Sequence, residues 1–360
     1  METAHLALKN LKQSYGSTGF TLEVPFFEIE TGQRLVVLGE NGSGKSTLVR
    51  ILGLLERPSF GEIYYRGKKV TSNKQVESIR AKIATLFQRP VILAGKVRKN
   101  LELISTLRKS DRSEVEKLVS LFELEDLLDR FDRELSLGQT RIVQLALTFL
   151  GNPEVIILDE PTSFLDEQRR KNLIELIMQA VKPSQTLIYV THRLDEALRL
   201  GRKIAVLKNG KIAASGSPEV VFTSLKDELT NLYGEISVLK GKVVNVENGL
   251  VTVSVNGIQL QGLAEDRLNA GESAALLFRN DAVVLSLKKG GSSVRNTFEA
   301  VVEGSEPLVG AGGVYRVAFK QPFYFQALIT RSSLEQLSIE PGKRVFASVK
   351  ASSIRVYKSF

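Results

Sequence analysis
The 360-residue sequence predicts an α/β domain with a mostly parallel sheet, followed by a small all-β tandem. Three patterns carry that expectation. Short apolar runs alternate with helix-like stretches up to about residue 230, a glycine-rich loop closes the first of these runs, and short alternating segments take over after about residue 235.

The run Leu35–Gly39 is apolar, ends in glycine and leads into the helix-like TLVRILGLL. Further runs lie at Ile83–Phe87, Val155–Leu158 and Leu187–Val190, with helical stretches near 112–129, 139–150 and 167–181 between them. Continuous apolar runs suit strands covered on both faces, as in a parallel sheet packed between helices. KIAVLKNGKIAASG (203–216) differs, reading as two strands around Asn209-Gly210, a pair that tolerates the positive φ angles of a type I′ hairpin turn.

Beyond residue 235, segments such as KVVNVENGLVTVSVNGIQL are punctuated by Asn-Gly, Gly-Gly and Pro-Gly pairs. AGESAALLFRNDAVVLSL (270–287) aligns without gaps on PGKRVFASVKASSIRVYK (341–358) at an offset of 71, so that Gly271 matches Gly342 and Arg279 matches Lys350. A helix-like piece, AEDRLN or SSLEQLS, precedes each copy. Two β units related by duplication are expected, joined by KKGGSS (288–293).

Composition excludes several classes of function. No run of about 18 uninterrupted apolar residues exists to span a bilayer. The N-terminus lacks the apolar stretch of a secretory signal. Cysteine is absent, which rules out disulfides and thiolate chemistry and fits the cytosol. The two histidines, His5 and His192, offer no His-rich metal site. The net charge is +9, of which +4 falls in residues 292–360 (nine Lys/Arg against five Asp/Glu). No basic run is interleaved with aromatics, so a nucleic-acid partner is not expected.

Gly39-Glu40-Asn41-Gly42-Ser43-Gly44-Lys45-Ser46-Thr47 fits GxxxxGK[ST]. The glycines admit backbone N–H groups close to phosphate, Lys45 reaches the terminal phosphates, and the Ser46 hydroxyl suits Mg²⁺. Val155-Ile156-Ile157-Leu158-Asp159-Glu160 is the expected partner, an apolar strand delivering two carboxylates to its C-terminal end. Asp159 is then expected to serve the Mg²⁺ and Glu160 to act as general base on the attacking water.

With these elements in order, the first 230 or so residues resemble the ABC ATPase family. Tyr15 stands where an aromatic stacks on adenine, and Gln88 in LFQRP matches the Q-loop glutamine. Leu135-Ser136-Leu137-Gly138-Gln139 matches the signature motif, Ser163-Phe164-Leu165-Asp166 the D-loop, and His192 in VTHRLDEA the switch histidine. The resemblance implies an ATPase with ATP and Mg²⁺ as cofactors. It also implies a helical subdomain at roughly 89–145 and a head-to-tail dimer. Each ATP would lie between the phosphate loop of one copy (Gly39, Asn41, Gly42, Gly44, Lys45, Ser46, Thr47) and Ser136, Gly138 and Gln139 of the other. His192 and Gln88 would sense the γ-phosphate, Gln88 also lying near the metal. The pattern departs from the family at Leu137, where a glycine is usual, and in the following TRIVQLALTF, which lacks the usual Gln-Arg and Ala-Arg pairs. A slower or more loosely closing site is expected from these departures.

The last 70 residues resemble the Mop, molbindin-like module within the TOBE class. The resemblance rests on Ser292-Ser293-Val294-Arg295-Asn296-Thr297, Ala327-Leu328-Ile329-Thr330-Arg331-Ser332-Ser333 and Val349-Lys350-Ala351-Ser352-Ser353. It implies an oxyanion site at Ser293, Arg295, Asn296, Lys350, Ala351 and Ser352, with residues 236–287 a related unit whose ligand pattern is degraded. Hydroxyls, backbone N–H groups and one or two cations suit a tetrahedral dianion that stays charged at neutral pH.

The domains expected are therefore an ABC-type phosphate-loop ATPase at 1–235, a first OB-like unit at 236–290 and a Mop-like unit at 291–360. Taken together, the resemblances imply the ATPase subunit of a molybdate or tungstate importer at the cytoplasmic face of the membrane. Its partners would be a second copy, membrane permease subunits and, indirectly, a binding protein, with the oxyanion itself a regulatory ligand. The alternative is the ATPase of a sulfate, sugar or polyamine importer whose tail binds no oxyanion.

Overall fold
A computed structural model describes residues 4–16, 19–218, 221, 235–289, 295–308 and 312–359. Two compact units emerge, one running to residue 197 with 201–215, the other comprising 198–200 and 216–360.

The first unit runs β1 (Ala4–Tyr15), β2 (Phe20–Glu30), β3 (Arg34–Leu38), α1 (Lys45–Leu52), β4 (Phe60–Tyr65), β5 (Lys68–Lys69), α2 (Asn73–Arg80), β6 (Ile83–Leu86), α3 (Val97–Arg108), α4 (Arg112–Leu121), α5 (Leu137–Phe149), β7 (Val155–Asp159), α6 (Glu167–Ala180), β8 (Thr186–Thr191), α7 (Leu194–Leu200), β9 (Lys203–Lys208) and β10 (Lys211–Gly216). Its ten strands form one sheet in the order β5-β4-β1-β2-β10-β9-β3-β8-β7-β6. From β9 to β6 the pairing is parallel, as expected. Outside that block β1, β2, β4 and β5 pair antiparallel, an extension absent from the sequence reading. In β1 the pairing with β4 shifts register between Lys9 and Lys12, and Asn10 takes a positive φ of 50°, so the two-residue alternation that marks a strand is broken. The Asn209-Gly210 turn has both φ values positive, as its type requires.

The helix expected over 112–129 stops at Leu121, because Glu123 adopts a left-handed φ of 53° and the chain continues as a short 3₁₀ turn at Glu125–Leu127. Helices α3 and α4 pack on α5 within the span expected for the helical subdomain. Among the described residues no helix is long and apolar enough to cross a membrane.

The second unit runs β11 (Ile236–Glu247), β12 (Leu250–Val255), β13 (Ile258–Ala264), β14 (Ser273–Arg279), β15 (Val283–Ser286), β16 (Asn296–Pro307), β17 (Val314–Gln321), β18 (Phe325–Thr330), α8 (Arg331–Gln336), β19 (Arg344–Val349) and β20 (Arg355–Lys358). The aligned repeats both fold as strand, 3₁₀ turn, strand. Their last strands, however, are exchanged. Strand β20 of the second copy closes the barrel β11-β12-β13-β20-β14, while β15 of the first joins the sheet β15-β19-β16-β17-β18. A boundary at 290/291 thus divides the sequence repeat but not the folded unit. One continuous core, including Phe278, Phe298, Phe319 and Phe325, lies beneath both sheets. SSLEQLS forms α8, but AEDRLN does not form a helix. The Ala264 and Glu265 N–H groups are bonded to Gly249 and Val356 carbonyls, which holds that stretch extended.

His5 links distant parts of the first unit. Buried on β1, it places Nδ1 2.7 Å from Thr186 Oγ1 and Nε2 3.4 Å from the Tyr65 hydroxyl. Tyr65, Arg66 and Lys82 in turn converge on the Glu154 carboxylate. Burial holds the imidazole below its ordinary pKa of 6.5, the nearby Arg66 and Lys82 add to this, and Glu154 opposes it. A histidine that protonates less readily folded than unfolded contributes stability above its unfolded pKa and loses it on acidification. Lowering the pH from 7.5 to 5.5 should therefore lower the melting temperature as this contribution is lost. His5→Gln should flatten the slope in this window; an unchanged slope would contradict the assignment.

Candidate active site
The order β3-β8-β7 brings three strand ends together, and each supplies part of one polar cluster. Strand β3 is apolar and buried from Leu35 to Leu38 and leads into the loop Gly39–Gly44. A Cβ on Gly39 would lie 2.4 Å from the Leu207 carbonyl oxygen, and one on Gly44 would lie 2.6 Å from the Phe20 ring at a φ of 105°. Both positions therefore require glycine. Asn41 and Gly42 are exposed on the loop, as is Ser46, while Lys45 and Thr47 are buried in the first turn of α1.

The Lys45 ammonium donates to the carbonyls of Gly39 and Glu40, each at 2.8 Å, and stands 3.8 Å from Glu160 Oε1. Burial lowers its pKa, and Glu160, Asp159 and Glu40 resist that shift. Asp159 ends β7 with its Oδ2 accepting from the Ser46 hydroxyl at 3.1 Å. Burial pushes the Asp159 carboxyl up, an effect the Ser46 hydrogen bond partly offsets.

Glu160 is the hub. It adopts a left-handed φ of 46°, and its N–H donates to Val190 of the neighbouring strand at 2.9 Å. One carboxylate oxygen lies 3.1 Å from His192 Nδ1; the other accepts from Gln88 Nε2 at 3.1 Å and Ser163 Oγ at 3.2 Å. The structure thus brings Lys45, Ser46, Asp159, Glu160, Gln88 and His192 into one constellation. With a buried cation, two carboxylates and an imidazole around a glycine-lined loop, it can bind a polyphosphate and remove a proton from water.

Ser136, Gly138 and Gln139 form a local structure at the head of α5. The Ser136 hydroxyl accepts from the Gln139 N–H at 3.3 Å, and the Gln139 side chain accepts from the Ser136 N–H at 3.0 Å, a reciprocal cap. A Cβ on Gly138 would come within 3.3 Å of Leu165 in the D-loop, which places the two motifs side by side in one chain. Leu137 is 61% exposed and Phe164 65%, so neither fills space within its own chain. Tyr15 is held by its hydroxyl, which donates to Glu56 at 2.6 Å and accepts from Arg50 at 2.9 Å.

Sequence reading singled out no role for Arg141. Its guanidinium, buried on α5, donates to the carbonyls of Phe87 and Gln88, fixing the backbone that carries the Gln88 side chain. Burial brings its pKa down to about 10. The only signal was an arginine two residues beyond the signature, with nothing to mark its partners some 53 residues away.

In the second unit, Ser293 lies outside the described residues. The β16–β19 register pairs Asn296 with Val349, bringing Arg295 and Asn296 beside the turn Lys350-Ala351-Ser352. Arg295, Lys350 and Ser352 are exposed. Asn296 is buried and its carboxamide is occupied, donating to the Gln261 and Val349 carbonyls at 2.8 and 3.1 Å and accepting from the Gln261 N–H at 2.6 Å. In the duplicated half, Ser237 pairs with Phe278 at the equivalent place and accepts from the Gln326 N–H at 3.1 Å. The matching turn there is Arg279-Asn280-Asp281, in which Arg279 is paired with Asp281 and Asn280 donates to Glu235.

Comparison with known proteins identifies the family of the fold. The ABC transporter family profile matches residues 22–163 and the TOBE domain profile residues 292–356. The molybdate/tungstate import ATP-binding protein WtpC of Pyrococcus horikoshii is 29% identical over 98% of this chain and 99% of its own. The spermidine/putrescine import ATP-binding protein PotA of Legionella pneumophila is 31% identical over 72% of each chain. The ATP-binding cassette MJ0796, solved as a dimer after hydrolysis with ADP and Pi, superposes with a TM-score of 0.53 at 27% identity, covering 59% of this chain and 98% of that one. The chain belongs to the ABC transporter family as an ATP-binding, ATP-hydrolysing import subunit with a C-terminal TOBE domain.

The Asn296 geometry carries a prediction. Asn296→Ala removes the acceptor of the Gln261 N–H and one donor from each of the Gln261 and Val349 carbonyls, and should cost about 2–3 kcal/mol in chemical denaturation. Unchanged stability would contradict the bridging role.

Proposed function
We propose that this chain powers import of molybdate or tungstate, working as a head-to-tail pair at the cytoplasmic face of the membrane. Its partners would be permease subunits and, through them, a substrate-binding protein. What supports the cargo reading is the exposed Arg295, Lys350 and Ser352 beside one turn of the tail, taken with 29% identity to the molybdate/tungstate import protein over 98% of this chain. Similarity to a sulfate/thiosulfate import protein extends over 96% of it, so the tail residues carry the choice.

In this reading the loop Gly39–Gly44 and Lys45 receive the ATP phosphates, and Tyr15 backs the adenine. Lys45 exchanges its loop-carbonyl partners for phosphate oxygens, gaining charge-assisted hydrogen bonds. Ser46, Asp159 and the Gln88 side-chain amide oxygen would hold Mg²⁺, which neutralises phosphate charge when bound. Their oxygen donors fit. The Ser46 hydroxyl and the Asp159 carboxylate already lie 3.1 Å apart, hard oxygen donors of the kind that ion takes alongside phosphate and water. Glu160 accepts a proton from water as the water oxygen bonds to the γ-phosphorus. The bond from that phosphorus to the β–γ bridging oxygen breaks, leaving ADP and phosphate. His192 and Gln88, both on the Glu160 carboxylate, orient it and respond to the γ-phosphate. Ser136 and Gly138 of one copy would complete the other copy's site, with the exposed Leu137 entering the interface where a glycine would leave more room.

Arg295, Lys350 and Ser352, together with the Ala351 turn and Ser293, offer cations and small donors to an oxyanion. Asn296 supports this reading as a fastener beneath the turn. In the duplicated half Arg279 is paired with Asp281 and Arg316 with Glu235, so the cations at the equivalent turn are already neutralised and one site per chain is favoured. Oxyanion bound there would hold the ATPase domains apart when cargo is plentiful.

Glu160→Gln should lose ATP turnover by about 100-fold or more while still dimerising with ATP, as light scattering would show. Full activity would remove the general-base assignment. Calorimetry on the full chain should show molybdate and tungstate binding that Lys350→Ala weakens, and either oxyanion should inhibit the assembled transporter. No binding would favour an importer of another substrate, such as a polyamine.

A further inference from the structure
Glu196, on α7, is a carboxylate that the hydrolytic steps above do not use. It is fully buried. Its Oε1 accepts from the Thr162 hydroxyl at 2.6 Å, and its Oε2 accepts from the Thr191 hydroxyl at 2.7 Å and the Tyr189 hydroxyl at 3.1 Å. The Thr191 oxygen also accepts from the Arg193 N–H at 3.0 Å, so its single proton is committed to Glu196. The Arg170 and Arg193 guanidiniums approach Oε1 at 3.9 and 3.7 Å and are shared with Asp195, at 3.9 and 3.3 Å. A buried carboxylate ringed by three hydroxyl donors is costly to assemble and unforgiving of a missing partner.

The location of those donors gives the cluster its consequence. Thr162 lies two residues after Glu160 and directly before Ser163, whose hydroxyl donates to Glu160. Thr191 directly precedes His192, whose Nδ1 lies 3.1 Å from Glu160. Both chain segments that converge on Glu160 are therefore tied behind it to one carboxylate. Glu160 and Phe164 sit at left-handed φ values of 46° and 69°, conformations that persist only where their surroundings enforce them.

We propose that Glu196 is a positioning residue for ATP hydrolysis, clamping the D-loop side and the switch-histidine side of the site at the separation that keeps His192 and Ser163 on the Glu160 carboxylate. Through Thr162 it also sets the start of the D-loop, so the clamp joins the hydrolytic centre to the segment that lies beside the signature motif. Nucleotide binding depends on Lys45 and Ser46, which the clamp does not touch, so its loss falls on turnover. This inference rests on the reading of Glu160 as the base.

The test is steady-state ATPase kinetics of the purified full-length chain. Glu196→Gln keeps the shape but turns an NH₂ group toward a hydroxyl donor; Thr162→Val and Thr191→Val keep the shape and remove one donor each. Each should lower kcat on the order of 10- to 100-fold, the scale of a misplaced catalytic group. KM for ATP should stay within about twofold. Thr162→Ser and Thr191→Ser, which restore the hydroxyl, should recover most of the loss. In a His192→Ala background, Glu196→Gln should cost much less than in the wild type, because both act on the same carboxylate. If Glu196→Gln does not fold, the threonine series decides. Wild-type kcat in the valine variants, or valine losses that serine fails to recover, would overturn the clamp. Loss of turnover in Glu160→Gln with wild-type turnover in Glu196→Gln would sink the clamp alone; retained turnover in Glu160→Gln would sink it together with the base assignment.

Discussion
The first unit depends on one electrostatic arrangement, a lysine ammonium buried at the end of a parallel sheet beside two adjacent carboxylates. Lys45, Asp159 and Glu160 would each be costly to bury alone, and burial moves the Lys45 and Asp159 pKa values toward the neutral forms. Together, with the loop carbonyls and the Ser46 hydroxyl, they compensate one another. The arrangement is sustained by strand order. Strand β8 lies between β3 and β7, so the phosphate loop, the paired carboxylates and His192 leave neighbouring strands on the same edge. A single carboxylate, Glu160, then receives contacts from the segment after β6 through Gln88, from the D-loop through Ser163 and from the switch segment through His192. Movement in any of these three reaches the same oxygen pair.

How much of this could be read from sequence followed the physics of each element. The phosphate loop, the β7 carboxylates and the parallel strands were legible because their chemistry is contiguous. Glycines must sit where backbone approaches backbone, and apolar runs must fill a sheet covered on both faces. Arg141 and Glu196 were not singled out because their partners Phe87, Gln88 and Thr162 are distant in the chain and no local pattern marks them. Asn296 was expected among the oxyanion ligands, whereas its carboxamide is taken up by Gln261 and Val349. Strand β1 escaped notice because the register shift near Asn10 breaks the alternation that announces a strand. The helix predicted to reach residue 129 stopped short because a left-handed residue, Glu123, is not marked by its type.

The second unit shows what a sequence repeat does and does not reveal. The two copies share strand, turn and strand, and the polar anchors Ser237 and Asn296 occupy equivalent places. Their closing strands are nonetheless exchanged, so each sheet is completed by the other copy and the core is common. The two turns differ in their side chains. One exposes Lys350 and Ser352, whereas the other pairs Arg279 with Asp281.

The claim on which the rest stands is that Lys45 is held ready for phosphate by partners it can exchange. Calorimetric titration of ATP with Mg²⁺ into the full-length chain and into Lys45→Ala tests it most directly. The wild type should bind and the variant should bind about tenfold more weakly or worse, the loss of a charge-assisted contact. Equal affinity in the two proteins would contradict the account.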